Sequence, residues 1–334
     1  MNATEVELEP GLDLPHGDFD DPATVENYQW LAMDDRGVGL ICHLGTFPGD
    51  GTLWHTLSAV SLPGGEVYVA KAVGRPADAP SAGTPLHGMR CEIPFERWRF
   101  HADAGFQPTD VAELGSGLLR DGPTVPIVVD VEFTVAGPIW NPAGSERQPE
   151  WGSFHLEQAM RAAGTVRIGD DVHAFDGLGF RDHSRGHRDL RHVERSFWCN
   201  GVFPSGRTFA SLQVTNRVGH TESRAAISDG GPFVDASIVE TPVIRHPDHS
   251  PTDIELVLGD ADGTEHRIPG VVSGGSTWSI VGGSEFCIGA AIDVADAYLL
   301  PQSIVRWEWD GETGYGLADR CGLTSYFASL EATS

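Results

Sequence analysis

Glycine and proline interrupt this chain so often that long helices are disfavoured and short strands are favoured. The sequence holds 41 glycines and 22 prolines among its 334 residues, spread as turn signals about every ten residues. Segments of that length suit strands, and the clearest of them, 125–135, places Val129, Val131 and Phe133 on one face with acidic residues between them. Many short, evenly spaced strands predict an all-β protein built from barrels or sandwiches.

The length predicts two domains, because 334 residues exceed one ordinary core and suit two units of about 150 residues each. Segment 154–163 is so short that strand and helix are nearly equal alternatives, and we favour strand. The stretch 137–152 is rich in Pro, Gly, Ser and Asn, which is typical of a long surface connection. We therefore predict an N-terminal domain at 1–160 and a C-terminal domain at 161–334.

Charge and cysteine content restrict the partners and the compartment. Forty-eight acidic residues against 22 basic ones give a formal charge of −26, which repels nucleic acid and anionic membranes. The five cysteines lie far apart without a C-x-x-C pair, as expected for reduced thiols. The first 35 residues contain no Lys or Arg, and no apolar run reaches 18 residues. We expect a cytoplasmic protein that binds neither nucleic acid nor membrane.

The basic residues also restrict the chemistry. Lys71 is the single lysine, so the other basic side chains are arginines, which donate hydrogen bonds and do not carry protons to a substrate. Proton transfer therefore falls to His, Asp, Glu or Tyr. The sequence also lacks a G-x-S-x-G elbow, a phosphate-binding P-loop and an H-E-x-x-H motif, which makes the common hydrolase, nucleotide-binding and zinc-protease classes unlikely matches.

The segment 175–189 is the strongest candidate for a functional site. Its fifteen residues, FDGLGFRDHSRGHRD, include three glycines, three aspartates, two histidines and three arginines. An arginine beside an aspartate holds the carboxylate ionised, whereas an apolar wall favours the protonated acid, so such a cluster can separate acid from base roles. The structural alternative is a salt-bridged turn that caps a barrel.

Histidines in and near this segment allow two further hypotheses. His183, His187 and His192 could surround a metal ion if the segment were helical, but the flanking glycines favour a strand, in which His183 and His187 would stand about 13 Å apart. His155 and Glu157 are two residues apart and would point the same way from a strand. They could be a second pair of proton-handling groups or a buried, hydrogen-bonded polar pair.

Nine tryptophans supply the apolar surface for a ligand. Trp98 and Trp307 occupy alternating strand positions, and together with Trp198 they are our candidates for contact with an apolar molecule inside a barrel. The alternative is that they are ordinary core residues, which is the more frequent role of tryptophan in strands.

Several motifs together resemble one known family. FHLEQ at 154–158, FDGLGFRDHS at 175–184 and FPSG at 203–206 look like the hydroxyneurosporene synthase group, also called carotenoid 1,2-hydratases. This group belongs to a lipocalin-like (calycin) superfamily with the AttH-like proteins, relatives of tocopherol cyclase and lipocalin-type Diels–Alderases. FERWR at 95–99 is similar to an uncharacterised bacterial branch. The specific element is G-x-R-D-H-S, and Arg185 stands where the family usually carries Trp.

The resemblance implies two tandem lipocalin-like β-barrel domains with a hydrophobic pocket near their junction, with the G-x-R-D-H-S segment assigned to the C-terminal domain. It also implies chemistry without a cofactor. The reactions of such relatives are hydration, dehydration, isomerisation or cyclisation, so the expected enzyme is a lyase, isomerase or cyclase. The expected substrate is an olefinic terpenoid, steroid or polyketide.

Combined with the residues, these expectations give specific roles. Asp182 is the predicted acid and His183 its partner, with Arg181 setting the ionisation of the carboxyl. His155 and Glu157 would deliver or activate water. The predicted substrate contacts are Trp98, Arg185, His187, Trp198 and Trp307.

Two other functions stay open at this point. The first is a non-catalytic carrier of a lipophilic small molecule. The second is a metal-dependent lyase that uses His183, His187 and His192. The sequence is also compatible with a homodimer.

Overall fold

The computed structural model describes residues 8–17, 19–142, 154–187 and 190–331. Within these ranges the chain forms nineteen strands, in two antiparallel sheets, and two short α-helices, α1 (Val111–Ser116) and α2 (Thr324–Glu331). The all-β prediction is confirmed. Neither described helix is long and apolar enough to cross a membrane.

The first sheet contains ten strands. They are β1 (Thr24–Asp34), β2 (Gly39–Phe47), β3 (Asp50–Ser61), β4 (Glu66–Gly74), β5 (Ser81–Thr84), β6 (His87–Ile93), β7 (Arg97–Asp110), β8 (Val125–Trp140), β9 (Phe154–Ile168) and β10 (Asp171–His187). Eight of them follow the order β4-β3-β2-β1-β10-β9-β8-β7, and β4 pairs with β7 to close a barrel. The short strands β6 and β5 extend the sheet beyond β7.

The second sheet is built in the same way from nine strands. They are β11 (Val193–Val202), β12 (Arg207–Asn216), β13 (Thr221–Asp229), β14 (Val234–Glu240), β15 (Asp253–Gly259), β16 (Glu265–Val281), β17 (Glu285–Ile288), β18 (Tyr298–Trp309) and β19 (Glu312–Leu323). The order β15-β14-β13-β12-β11-β19-β18-β16 closes through pairing of β15 with β16, and β17 extends from β16.

The change from one barrel to the other comes between β10 and β11. β9 pairs with β8, and β10 pairs with β1, so both strands belong to the first barrel. The predicted boundary between 1–160 and 161–334 therefore falls inside β9, and the G-x-R-D-H-S segment lies in the first barrel and not in the C-terminal one. The stretch 137–152, from which we predicted the domain boundary, joins two strands of the same barrel. Its residues 143–152 lie outside the described ranges.

Alternating side chains fill each barrel. In the first, Val129, Val131 and Phe133 are buried as the sequence predicts. In the second, Phe209 and Trp307 are part of the interior cluster. Aromatic and aliphatic side chains thus occupy the barrel centres, which leaves the outer faces of the strands to meet at the seam between the barrels.

An apolar cluster joins the two barrels at this seam. Leu31, Ile41 and Phe180 of the first barrel belong to the same buried cluster as Ile304 and Leu317 of the second. Because these side chains point outward from their own barrels, the contact fixes how the outer faces oppose one another.

Residues 8–17 cover part of the first barrel and enter its polar interior. A turn of 3-10 helix, Pro10–Asp13, brings Asp13 into the barrel wall, where its side chain is fully buried. Asp13 accepts hydrogen bonds from the Phe95 amide and from Trp98 Nε1, and it pairs with Arg181. The segment is thereby fixed to β7 and β10.

Candidate active site

A partly open cavity of about 140 Å³ lies at the seam between the two barrels. The first barrel contributes polar side chains, namely Asn27, Gln29, His43, His155, Asp182 and Ser184. The second contributes a largely apolar wall with four polar residues, namely Val193, Ser196, Trp198, Leu212, Val214, Trp278, Ile280, Phe286, Tyr298, Leu300, Gln302, Asp319 and Cys321. The position of this cavity agrees with the expected pocket near the junction of the two domains. It corrects our other expectation, that the ligand would bind inside a barrel.

Strand β10 divides the predicted catalytic residues between two faces. Asp182 lines the cavity, whereas Arg181 and His183 point into the first barrel and are fully buried there. Successive residues of a strand face opposite sides of a sheet, so neighbours in sequence cannot act on one substrate from the same wall. The predicted partnership of Asp182 with His183 is therefore corrected.

The partner of Asp182 is His155. Nε2 of His155 lies 2.7 Å from Oδ2 of Asp182, and both side chains are largely buried. The pair forms because β9 runs antiparallel to β10, with His155 opposite Ser184 and Glu157 opposite Asp182. Residues 27 positions apart in sequence thus become neighbours on the outer face of the barrel, at the cavity.

Glu157 lies directly behind this pair. Its side chain is completely buried, and its Oε1 is 3.7 Å from Nε2 of His155. Burial raises the pKa of the Glu157 carboxyl well above its usual range, and the nearby Asp182 carboxylate raises it further. Glu157 therefore favours its protonated form more strongly than an exposed glutamate does.

Asp319 on β19 lines the cavity from the second barrel. Its carboxyl accepts hydrogen bonds from the Cys321 thiol and the Gln302 amide, and burial raises its pKa to about 7. Gln29 of the first barrel donates to Gln302, which connects the two walls. We did not single out Asp319 from the sequence. The available signal was an acid that directly follows the uncharged run Gly314–Ala318, and that signal is weak without a register.

Arg181 and His183 serve a separate network inside the first barrel. Arg181 pairs with Asp13 and donates from Nε to Gln158 at 2.9 Å. His183 Nε2 is 2.9 Å from Oε1 of Glu26, and its ring stacks on Tyr28 at 4.0 Å. These contacts match the structural alternative for this segment, in which ion pairs cap a barrel.

Glu26 is the negative centre of that network. Burial opposes its ionisation, but hydrogen bonds from His16 and His183 outweigh this effect and lower its pKa to about 2. Arg185 lies near both Glu26 and His16, with its guanidinium 5.0 Å from the Phe154 ring. The polar residue that replaces the family's usual Trp thus belongs to the capped end of the first barrel.

The predicted substrate contacts separate in the same way. Trp198 lines the cavity, but Trp98 and Trp307 are buried in the interiors of the first and second barrels. Arg185 is half-buried away from the cavity lining, and His187 is exposed at the end of β10. Strand alternation is again the reason, since these tryptophans occupy inward positions.

The three histidines of the metal hypothesis do not converge. His183 lies inside the first barrel, whereas His187 and His192 are exposed. In the described ranges, no three His, Cys, Asp or Glu side chains are grouped as a metal site.

Comparison with known families identifies the group to which the chain belongs. Residues 20–322 match the family described as "Domain of unknown function (DUF7064)". The chain is a member of this family. No curated protein matches it.

Solved structures extend the relationship to the level of the fold. An AttH-type protein from Nitrosomonas europaea aligns with a TM-score of 0.60 at 11% identity, over 96% of this chain and 97% of that one. CghA in complex with Sch210972 aligns with a TM-score of 0.53 at 12% identity, over 90% of this chain and 89% of that one. Kievitone hydratase from Nectria haematococca aligns with a TM-score of 0.50 at 8% identity, over 91% of this chain and 90% of that one. The tandem lipocalin-like fold is confirmed.

Proposed function

We propose that this protein is an enzyme that transfers protons to and from an apolar, unsaturated small molecule held between the two barrels. The observation that carries the proposal is the His155–Asp182 pair, 2.7 Å apart, in the wall of a cavity whose opposite side is mainly aromatic and aliphatic. An acid and an imidazole in close contact beside a cavity are the groups that general acid–base catalysis needs.

The geometry supports an order of roles. Asp182 faces the cavity and is the group that meets the substrate, and His155 exchanges protons with Asp182. Glu157 lies behind them, and burial raises the pKa of its carboxyl. In the hydration direction, His155 passes a proton to Asp182, the substrate's π electrons take that proton to form a C–H bond, and positive charge develops on the adjacent carbon. Water then adds to that carbon and gives up a proton to His155.

The walls favour an apolar substrate. Trp198, Trp278 and Phe286 line the side opposite the polar groups. A cavity of about 140 Å³ is close to the roughly 150 Å³ that accommodates a benzene ring. One ring or one short isoprenoid unit therefore fits inside, and the rest of the molecule extends through the open side. We propose an olefinic terpenoid, steroid or polyketide, with hydration, dehydration, isomerisation or cyclisation as the reaction.

One of the structural relatives supports this class of chemistry by its name, because it is described as kievitone hydratase. CghA, which has the same fold, was solved with the molecule Sch210972.

Deuterium incorporation from D2O tests the proposal. We expect at least one member of a panel of olefinic terpenoids, steroids and polyketides to gain deuterium on carbon, as measured by mass spectrometry. Asp182→Asn should slow this incorporation by about a hundredfold or more, and His155→Gln should also slow it. Asp176→Asn is the matched control, because Asp176 lies on the same strand but is exposed to solvent.

Incorporation by Asp182→Asn at the rate of Asp176→Asn would contradict the assignment. Tight binding of panel members that are recovered unchanged would instead support a carrier of lipophilic molecules.

A further inference from the structure

We propose that the cavity binds a ligand with a protonated amine, for which Asp319 is the counter-ion. This inference rests on the proposed function, since it takes the same cavity as the substrate site and narrows the substrate to lipophilic amines.

The charges around the cavity exclude anionic ligands. Asp182 and Asp319 line opposite walls, and among the described side chains that line it there is no arginine or lysine. Lys71 lies outside the lining, where its exposed ammonium donates to the Phe286 carbonyl. A carboxylate or phosphate placed here would lose its hydration beside two acids without gaining a cation.

Asp319 differs from Asp182 because neither of its hydrogen-bond partners is an ionisable base. Asp182 is paired with His155, whereas Asp319 receives hydrogen bonds from the Gln302 amide and the Cys321 thiol. A buried carboxylate without a cation is costly, and protonation is the alternative when no cation is present. An ammonium group in the cavity would supply the missing charge and satisfy Asp319 in its ionised form.

The aromatic wall suits the same ligand. Trp198, Trp278, Phe286 and Tyr298 line the cavity, and the faces of aromatic rings attract organic cations. Nε1 of Trp278 is buried and has no hydrogen-bond partner among the described residues. An unsatisfied donor in a cavity wall is completed by an acceptor on the ligand or by a water molecule.

The charge of the whole chain acts in the same direction. A formal charge of −26 attracts cations and lowers the local concentration of anions near the surface. This effect accelerates association but does not select a site, so the preference inside the cavity depends on Asp319.

Three probes of one shape and different charge test the inference. Benzylamine, benzyl alcohol and benzoate each carry a single ring, and their affinities for the full-length protein are measured by calorimetry at pH 8, where the amine is still protonated and Asp319 is mostly ionised. We expect benzylamine to bind at least about tenfold more tightly than benzyl alcohol, which corresponds to 1.4 kcal/mol, with benzoate the weakest.

The Asp319→Asn variant tests whether Asp319 is responsible for the tighter binding of benzylamine. This variant should lose the advantage of benzylamine and bind benzyl alcohol as the wild type does. Asp229→Asn, an exposed position in the same barrel, should leave all three affinities unchanged. If Asp319→Asn does not fold, the wild-type series alone decides the charge preference.

Equal binding of amine and alcohol, strongest binding of benzoate, or no binding of any probe would overturn the inference, as would an amine preference that persists in Asp319→Asn. The outcome is separable from the proposed function. An amine preference without deuterium incorporation would support the amine-binding site and contradict the proposed enzymatic function. Deuterium incorporation into uncharged olefins only would support the enzymatic function and contradict the amine-binding inference.

Discussion

Gln29 of the first barrel donates its side-chain hydrogen bond to Gln302 of the second, and Gln302 in turn donates to Asp319. The three side chains form a continuous polar connection across the seam, next to the apolar cluster that joins the barrels. The cavity is therefore assembled by tertiary docking and does not exist in either barrel alone.

Removal of this bridge should cost stability. Gln29→Ala leaves the buried oxygen of Gln302 without its donor, which we expect to lower the free energy of unfolding by about 1–3 kcal/mol, as measured by urea denaturation. Gln213→Ala is the control, because Gln213 is partly exposed and bonds only to Ser223 through its amide. A loss for Gln29→Ala no larger than for Gln213→Ala would show that the bridge contributes nothing.

The buried pair Asp13–Arg181 should matter far more than a surface pair. Asp13→Asn leaves the fully buried Arg181 guanidinium without its carboxylate, and we expect a loss of about 3–5 kcal/mol in the free energy of unfolding. Asp130→Asn breaks the exposed pair with Arg99 and should cost about 0–1 kcal/mol. Similar losses for the two variants would mean that the N-terminal segment is not held by this ion pair.

Asp319 should make stability depend on pH in an unusual direction. Its pKa is raised by burial to about 7 in the folded state and lies near 3.9 in an unfolded chain. Between these values the folded state binds more protons, so its contribution to the free energy of unfolding falls as pH rises from about 4 to 7 and then levels off. The difference in stability between wild type and Asp319→Asn, followed by denaturation across this range, should show that fall. A flat difference would contradict it.

Gly179 should tolerate no side chain. A Cβ at this position would lie 1.8 Å from the Leu31 carbonyl oxygen, which belongs to the backbone of the paired strand and cannot move aside cheaply. We expect Gly179→Ala to cost about 1–3 kcal/mol or more through overpacking. Gly117→Ala, where no atom lies within 4 Å, should be nearly neutral by thermal denaturation. Equal melting temperatures for the two variants would show that β1 and β10 can separate without cost.

The strands were predictable because their signal is local. Alternation of Val129, Val131 and Phe133 with acids between them determines both the strand and its buried face, and both agree with the structure. Glycines at 177 and 179 were noticed as part of a charged block, but their role is the close contact of β10 with β1. That role depends on which strand pairs with which, and local composition does not contain it.

The contact between His155 and Asp182 was missed for a related reason. Asp182 and His155 were both candidates, and so was Glu157, but the sequence paired Asp182 with its neighbour His183. Alternation along β10 excludes that pair, and the true one requires the register between β9 and β10. To predict the position of Asp319 beside the cavity, one must also know how the two barrels dock.

The cluster that joins Phe180 of one barrel to Ile304 of the other has a consequence for how substrate selectivity could evolve. Since the two walls of the cavity belong to different barrels, a change of packing between Phe180 and Ile304 would alter the width of the opening without touching any residue that lines the cavity. Size discrimination could thus drift through substitutions remote from the reacting atoms, while the proton-handling groups stay fixed.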